Sequence, residues 1–301
     1  MRYLNNWSIF NIQMFQSVLV LSFLFVAVPS IQANSGSLLL QHSHEFFPDQ
    51  TGNEWRYQGR ISEGTVNQIA DKTFVNISTV TGREQKDGVE VAVFHDTNPG
   101  NQGPTDSYYR RDAAGILYFG SKPGTKLEKQ LVPYQIVRFP LTAHSSFEQL
   151  NRKGLNLGLD LDRDGRAEDV DIKARVTMFD QEPVTVPLGT YQSAVRMEAQ
   201  MDLLVHLSSD GMLVKGFDTM TAWFVRGVGL VKYRERQMVP MLGSSKDRII
   251  EITEELESAT LQPGATSFPQ GESSTKGVFA HDPLHNELLQ VSFPSRLGTH
   301  P

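Results

Sequence analysis

The run YQSAVRMEAQMDLLVHL, Tyr191 to Leu207, decides the fold class. Val195, Met197, Ala199, Met201, Leu203, Val205 and Leu207 occupy every second position, with Arg196, Glu198, Gln200, Asp202 and His206 between them. A period of two places alternate side chains on opposite faces of a half-buried strand. Extended at about 3.3 Å per residue the run would reach roughly 56 Å, so it must bend, bulge or wrap around a core.

The same logic repeats on either side. Ser209-Asp210-Gly211 precedes a run through Trp223 and Val225, and Arg226-Gly227-Val228-Gly229 turns the chain again before Leu230 to Val239. Asp-Gly between alternating runs is a strong hairpin signal. Upstream, Trp55, Tyr57 and Ile61 alternate with Arg56, Gln58 and Arg60, and Lys86-Asp87-Gly88 leads into Val89, Val91 and Val93. Tyr108 to Arg111, a turn at Asp112 to Gly115, and Ile116 to Phe119 predict a further hairpin. Helical spacing is rare, with Ser145 to Arg152 the one short candidate. These patterns predict a mainly β protein, a curved antiparallel sheet or half-barrel with few short helices.

The second informative stretch is DLDRDGRAEDVD, Asp160 to Asp171. Asp160, Asp162 and Asp164 take the first, third and fifth positions of a calcium loop, and Gly165 the sixth. Arg166 offers its backbone carbonyl at the seventh, with Glu168 ninth and Asp171 twelfth. Calcium takes six to eight oxygens, and carboxylates at alternate positions converge on it only around a sharp turn. Gly165 allows that turn because it lacks a Cβ. Asp171 is one methylene shorter than the usual terminal Glu, and both flanks alternate like strands. The expectation is a structural calcium ion in a loop between strands, set against an acidic turn holding no ion.

The ends of the chain read differently. Arg2, the apolar run Ser17 to Val28 and the exit Ile31-Gln32-Ala33 predict a signal peptide over residues 1–33. A single β domain is expected over 34–257, and a flexible tail rich in Ser, Gly, Pro and Thr over 258–301. The run of apolar residues is too short for a membrane span, and no later segment is long enough, so the processed chain is expected to be periplasmic or extracellular and not membrane-spanning. There is no cysteine, so core burial must do the work of disulfides and no cysteine nucleophile exists. A net charge of −6 argues against nucleic acid as a partner.

FFPDQTGNEWRY, Pro133-Tyr134, Phe139-Pro140-Leu141, VTVPLGTYQSAVRME and WFVRGVGLVKY together resemble a group of exported bacterial proteins without assigned activity. The likeness covers Phe46 to Lys232 and includes TapB-like domains, similar to the half-barrels of lipoprotein carriers. It implies a curved antiparallel sheet and brings no activity with it. Phe224-Val225-Arg226 stands where the commoner ending is Tyr-Ala-Pro.

Motifs for known catalytic machinery are missing: no Gly-x-Ser-x-Gly elbow, His-Glu-x-x-His, phosphate-binding loop or dinucleotide fingerprint occurs. His42 and His44 share a face of an extended segment but lack a visible third zinc ligand. Pro283 interrupts the spacing of His281 and His285. Lys232, Arg234 and Arg236 form a basic strand face, solvated by default. Asn76-Ile77-Ser78 is a formal glycosylation sequon. Trp55 and Trp223 suit a packed core or a ligand cavity.

Two functions follow. The first is a non-enzymatic exported module that binds an apolar or amphipathic ligand, or an envelope protein, in the concavity of its sheet. The alternative is an envelope hydrolase of polysaccharide or ester using polar-face carboxylates such as Glu198 and Asp202. Those two lie about 13 Å apart along a strand, beyond the roughly 5–10 Å of a glycosidase pair.

Overall fold

The structure, a computed structural model, describes residues 37–65, 68–239 and 248–262. The signal-peptide segment, the tail beyond residue 262, and His281 and His285 lie outside the described residues.

A twelve-stranded, wholly antiparallel sheet forms the body of the domain. Its strands are β2 (Glu54–Thr65), β3 (Gln68–Lys86), β4 (Val89–Asp96), β5 (Thr105–Asp112), β6 (Gly115–Lys122) and β7 (Tyr134–Arg138), then β9 (Ser146–Asn156), β10 (Asp169–Val186), β11 (Gly189–His206), β12 (Leu213–Val225), β13 (Gly229–Val239) and β14 (Arg248–Thr260). Their order across the sheet is β7-β6-β5-β4-β3-β2-β14-β13-β12-β11-β10-β9. Chain neighbours pair throughout except where β14 meets β2 and joins the two halves. The sheet curls until it nearly closes. Its two edges approach at β7 and β9, where the Gln149 side chain donates to the Gln135 carbonyl at 3.2 Å. Two further short strands, β1 (Leu38–Leu40) and β8 (Leu141–Thr142), pair with each other, and helical turns α1 (Ser43–Phe46), α2 (Glu128–Leu131) and a 3₁₀ turn at Pro99–Asn101 complete the fold.

The expected alternation holds along β11, where Val195, Ala199, Met201, Leu203 and Val205 are buried, as is Leu207 just beyond it. Its length is accommodated as bulging: the partner strand β10 shifts register between Met178 and Gln181 and again between Glu182 and Val184. The hairpins at Asp87-Gly88, Asp112 to Gly115, Ser209 to Gly211 and Arg226 to Gly229 all form. The short helix expected at Ser145 to Arg152 does not form, because this segment is the edge strand β9. A register shift opposite Ala174 and Arg175 leaves Gln149 as an extra residue, so Phe147 and Leu150, three apart, both reach the core. A bulge thus imitates a helical period.

In an antiparallel sheet alternate turns gather at opposite ends. One end, carrying the turns near residues 87, 113, 187 and 227, is covered by the segment Ser43 to Asn53. There Ser43 Oγ donates to the Asp112 carbonyl at 2.6 Å and the Gly227 N–H to the Glu45 carbonyl at 2.7 Å. Asp49, 3 % exposed, pairs with Arg83 at 3.0 Å and Arg111 at 2.6 Å. Phe46 stacks on Phe224 with ring centroids 4.0 Å apart. The other end carries the loops 97–104, 123–133, 157–168 and 207–212. Ser258–Thr260, the start of the stretch expected as tail, completes β14.

Candidate functional site

The curled sheet encloses a cavity of about 360 Å³. One wall is apolar and built by β11 and β12, whose inward positions supply Met197, Met201, Met220 and Ala222. Facing it are Trp55, Tyr57 and Phe94 on β2 and β4, together with Phe47 from the segment that covers the end. Trp55 Nε1 donates to the Val228 carbonyl at 2.7 Å and Tyr57 Oη to the Leu230 carbonyl at 3.0 Å. Their polar tips are satisfied, so the rings present apolar faces to the space. Trp223 takes no part in this lining; its Nε1 donates to Glu182 Oε1 at 2.7 Å.

Polar side chains interrupt the inward register of five strands. On β3 the buried Asn76 donates through Nδ2 to Asp96 Oδ1 on β4 at 3.1 Å and to Glu254 Oε2 on β14 at 3.2 Å. The Asn98 N–H donates to Asn76 Oδ1 at 3.1 Å, and the Gly100 N–H donates to Glu254 Oε1 at 2.8 Å. Burial pushes the Asp96 carboxyl up to about 6, opposed by the Asn76 and Ser78 hydrogen bonds. Burial likewise raises Glu254 to about 7, against the bonds from Gly100 and Asn76. Both values exceed the ordinary carboxyl range because desolvation disfavours the anion.

Next along the wall, Tyr233 lies directly across from Glu254 on β13. Its hydroxyl donates to Glu235 Oε2 at 2.7 Å, and Gln237 Nε2 donates to Glu235 Oε1 at 2.7 Å. Burial, and then the neighbouring Asp218, hold the Glu235 carboxyl well above its usual range. A fourth acid, Glu128 on α2, accepts hydrogen bonds from Tyr118, from Ser121 Oγ at 2.9 Å and from the Thr125 N–H at 3.2 Å. Asp96, Glu128, Glu235 and Glu254 all border the cavity, and none of the described residues lining it is lysine, arginine or histidine.

The acidic loop lies at the end opposite the covering segment, between β9 and β10. Asp160, Asp162 and Glu168 bring ligand atoms within 4.8 Å of one another, the one such group among the described residues. Gly165 adopts φ 92, the left-handed conformation expected of it. Asp160 accepts from the Asp164 N–H at 3.1 Å and the Gly165 N–H at 2.9 Å. Asp162 accepts from the Asp164 N–H at 3.2 Å and, through its other oxygen, from the Ser209 N–H at 3.0 Å. A hydrogen bond from the Ser209 side chain, ahead of the Ser209 and Asp164 N–H bonds, holds the Asp162 carboxyl below the ordinary range. Glu168 is fully buried, accepting from Leu161 N–H at 2.9 Å, Asp162 N–H at 3.3 Å and Ser208 N–H at 2.7 Å.

The other two carboxylates stand apart from that group. Asp164 accepts from the Arg166 N–H at 2.8 Å within the turn, and Asp171 sits inside β10, where Gly154 N–H reaches it at 2.9 Å and His206 at 3.5 Å. Beneath the loop Leu159 and Leu161 pack with Leu127 and Leu131 around α2.

The remaining candidates are dispersed. Glu198 Oε1 accepts from Gln200 at 2.8 Å, and neither it nor Asp202 borders the cavity. His42 and His44 stack on each other with centroids 5.5 Å apart. Lys232 and Arg236 pair with Glu255 and Glu251 at 2.5 and 3.2 Å. Asn76 of the sequon is 2 % exposed and closed to modification in the folded state.

No protein-family model matches the sequence, and no curated protein matches it. Among solved structures, a predicted exported protein with a YmcC-like fold from Bacteroides fragilis is 12 % identical, covering 71 % of this chain and 98 % of its own at a TM-score of 0.31. A predicted lipoprotein from Parabacteroides distasonis is 13 % identical, covering 73 % and 99 % at the same TM-score. Both are distant likenesses. No helix among the described residues is long and apolar enough to cross a membrane.

Proposed function

We propose that this protein is an exported, non-enzymatic binding module that holds an apolar or amphipathic small molecule inside its curled sheet. One observation carries the reading: a cavity of about 360 Å³ walled by methionines and aromatic rings, with a few polar groups at one side. That size and character are those of small-molecule sites, in which an apolar lining supplies affinity and sparse polar groups fix orientation. Export rests on the leader-like residues 1–33, and the likeness to TapB-like proteins and lipoprotein carriers is in keeping with it.

The test is uptake of the neutral dye Nile red, together with native mass spectrometry of the gently purified protein. Dye fluorescence should rise on binding and be blocked in Ala222→Trp, whose indole would fill the space, with circular dichroism checking that the variant folds. A protein that neither takes up the dye nor carries a bound small molecule overturns the reading.

In the same proposal the loop from Asp160 holds a structural calcium ion, with Asp160, Asp162 and Glu168 as its core ligands. The convergence of their oxygens supports this. An ion at tenfold excess over its Kd would add about 1.4 kcal/mol of stability, provided the unfolded chain does not bind it. Scanning calorimetry with calcium and with chelator should then give different Tm values. Equal Tm values, with no heat on titration of calcium, defeat the calcium proposal and leave the cavity reading standing.

A hydrolase has one observation in its favour, the buried Asp96 and Glu254 joined through Asn76, since carboxyls titrating near neutrality in a cavity suit acid and base roles. Turnover of ester or glycoside substrates that vanishes in Glu254→Gln would move the assignment there.

A further inference from the structure

We propose that the ligand of this cavity is an organic cation, an amine or quaternary ammonium on an apolar body, whose head rests among Asp96, Glu235 and Glu254. The inference rests on the binding reading above and adds the charge of the guest.

Three features of the walls converge on it. First, the acids that border the space are met by neutral hydrogen-bond donors. Asn76, Gly100 N–H, Tyr233 and Gln237 supply them, and no lysine, arginine or histidine occurs among the described lining residues. Buried carboxyls without a counter-ion are held toward their protonated forms, and a cationic guest supplies the charge partner that the protein does not. Secondly, the acids stand among rings: Tyr233 lies directly across from Glu254 on β13, Tyr57 lies two residues from its β2 partner Gly59, and Trp55 and Phe94 lie with stacked rings 6.0 Å apart. The negative faces of such rings attract an ammonium, and more so when it is desolvated. Thirdly, the opposite wall of Met197, Met201 and Met220 is unbranched and pliable, suited to an alkyl or aromatic body of variable shape. An anionic guest would meet four acids and no base.

Binding should also release protons. Asp96 faces Asn76, Ser78, His95, Asp106 and Tyr109, while Glu254 faces Asn76, the Gly100 N–H, Asp96, Tyr57 and Tyr233. Raised to about 6 and about 7, both carboxyls are partly protonated between pH 6 and 7, and an arriving cation favours their ionised forms.

The experiment is a competition series against bound Nile red with probes of one chain length: dodecyltrimethylammonium, dodecanol and dodecyl sulfate, all below their micellar concentrations. The ammonium should displace the dye at a concentration at least ~10-fold below the alcohol, a gap of about one desolvated cation–ring contact, with the sulfate weakest. Its affinity should rise from pH 5 to pH 8, and at pH 6.5 its binding heat should differ between phosphate and Tris buffers because protons are released. In the double variant Asp96→Asn/Glu254→Gln the ammonium should lose its advantage, displacing the dye at a concentration within ~2-fold of that of dodecanol. If that variant fails to fold, the probe series and the buffer dependence on the native protein decide. Equal affinity for all three probes, or preference for the sulfate, overturns the cation while leaving a binding cavity. Failure of every probe and of the dye overturns both.

Discussion

Asn76 is the residue on which the inner wall is organised. One amide group donates to two carboxyls and accepts a backbone N–H, so its loss would leave Asp96 and Glu254 under-satisfied in a buried place. Asn76→Ala should therefore cost about 3 kcal/mol in urea unfolding at pH 8 and less at pH 5, where the acids are protonated. The acids also set a pH trend. Asp96 rises from 3.8 to about 6 and Glu254 from 4.5 to about 7 on folding, so the native state binds protons that the unfolded chain has released. Their contribution is full below about pH 4 and is lost as pH climbs through 6 and 7, roughly 3 kcal/mol for each group. Denaturation midpoints at pH 4.5, 6 and 8 should fall more steeply in the native protein than in Glu254→Gln. The sequence does carry a sign of this wall: Asn76 stands in the inward register of Phe74 and Val80, and Glu254 in that of Ile252 and Leu256. A polar residue in an apolar register is readable one strand at a time. What it meets is not, since Asn76 and Glu254 are 178 positions apart and only the β14–β2 pairing brings them together.

At the level of strands and loops, close approach matters more than composition. A Cβ placed on Gly59 of β2 would lie 2.3 Å from the Phe74 ring on β3, directly across the ladder. Gly59→Ala should destabilise the fold by about 1–3 kcal/mol in urea unfolding, and Phe74→Leu in the same chain should recover part of that. In the acidic loop the buried Glu168 gathers three backbone N–H groups from two segments. Glu168→Gln turns an amide NH₂ toward some of those donors and should cost about 2 kcal/mol, with faster hydrogen exchange at Leu161 and Ser208. The hairpins were legible because Asp-Gly and Gly-x-Gly turns fix their own geometry. The edge strand at Ser146 was not, because a single extra residue at Gln149 changes which side chains face inward and leaves no local signature. For the acidic loop, the spacing anticipated the turn at Gly165 and the grouping of Asp160, Asp162 and Glu168. It did not anticipate that Asp171 would be absorbed into β10, a consequence of how far that strand extends.

Across the whole described domain, the β14–β2 ladder is what joins the two halves of the sheet. β14 and β2 pair along nearly their full lengths, so amides there should show the slowest hydrogen exchange, with β7 and β9 at the edges exchanging faster. The covered end depends on Asp49, whose pairing with Arg83 and Arg111 ties the segment Ser43 to Asn53 to β3 and β5. Asp49→Ala should lower Tm and hasten exchange at Gly227, which donates to that segment; unchanged exchange there would show that the aromatic packing of Phe46 and Phe47 holds the segment by itself. Mean charge and composition foretold none of this arrangement, since closure is a property of register summed over twelve strands.

The seam between β7 and β9 bears on what the interior can accept. A barrel stitched all the way round has its girth set by strand number and stagger. Here the Gln149 amide, with the Arg138 guanidinium lying over the Phe147 ring, clasps the two margins in place of a ladder. Like a bracelet with a clasp, the wall would give up only side-chain contacts, and no backbone rung, if it were opened at this seam.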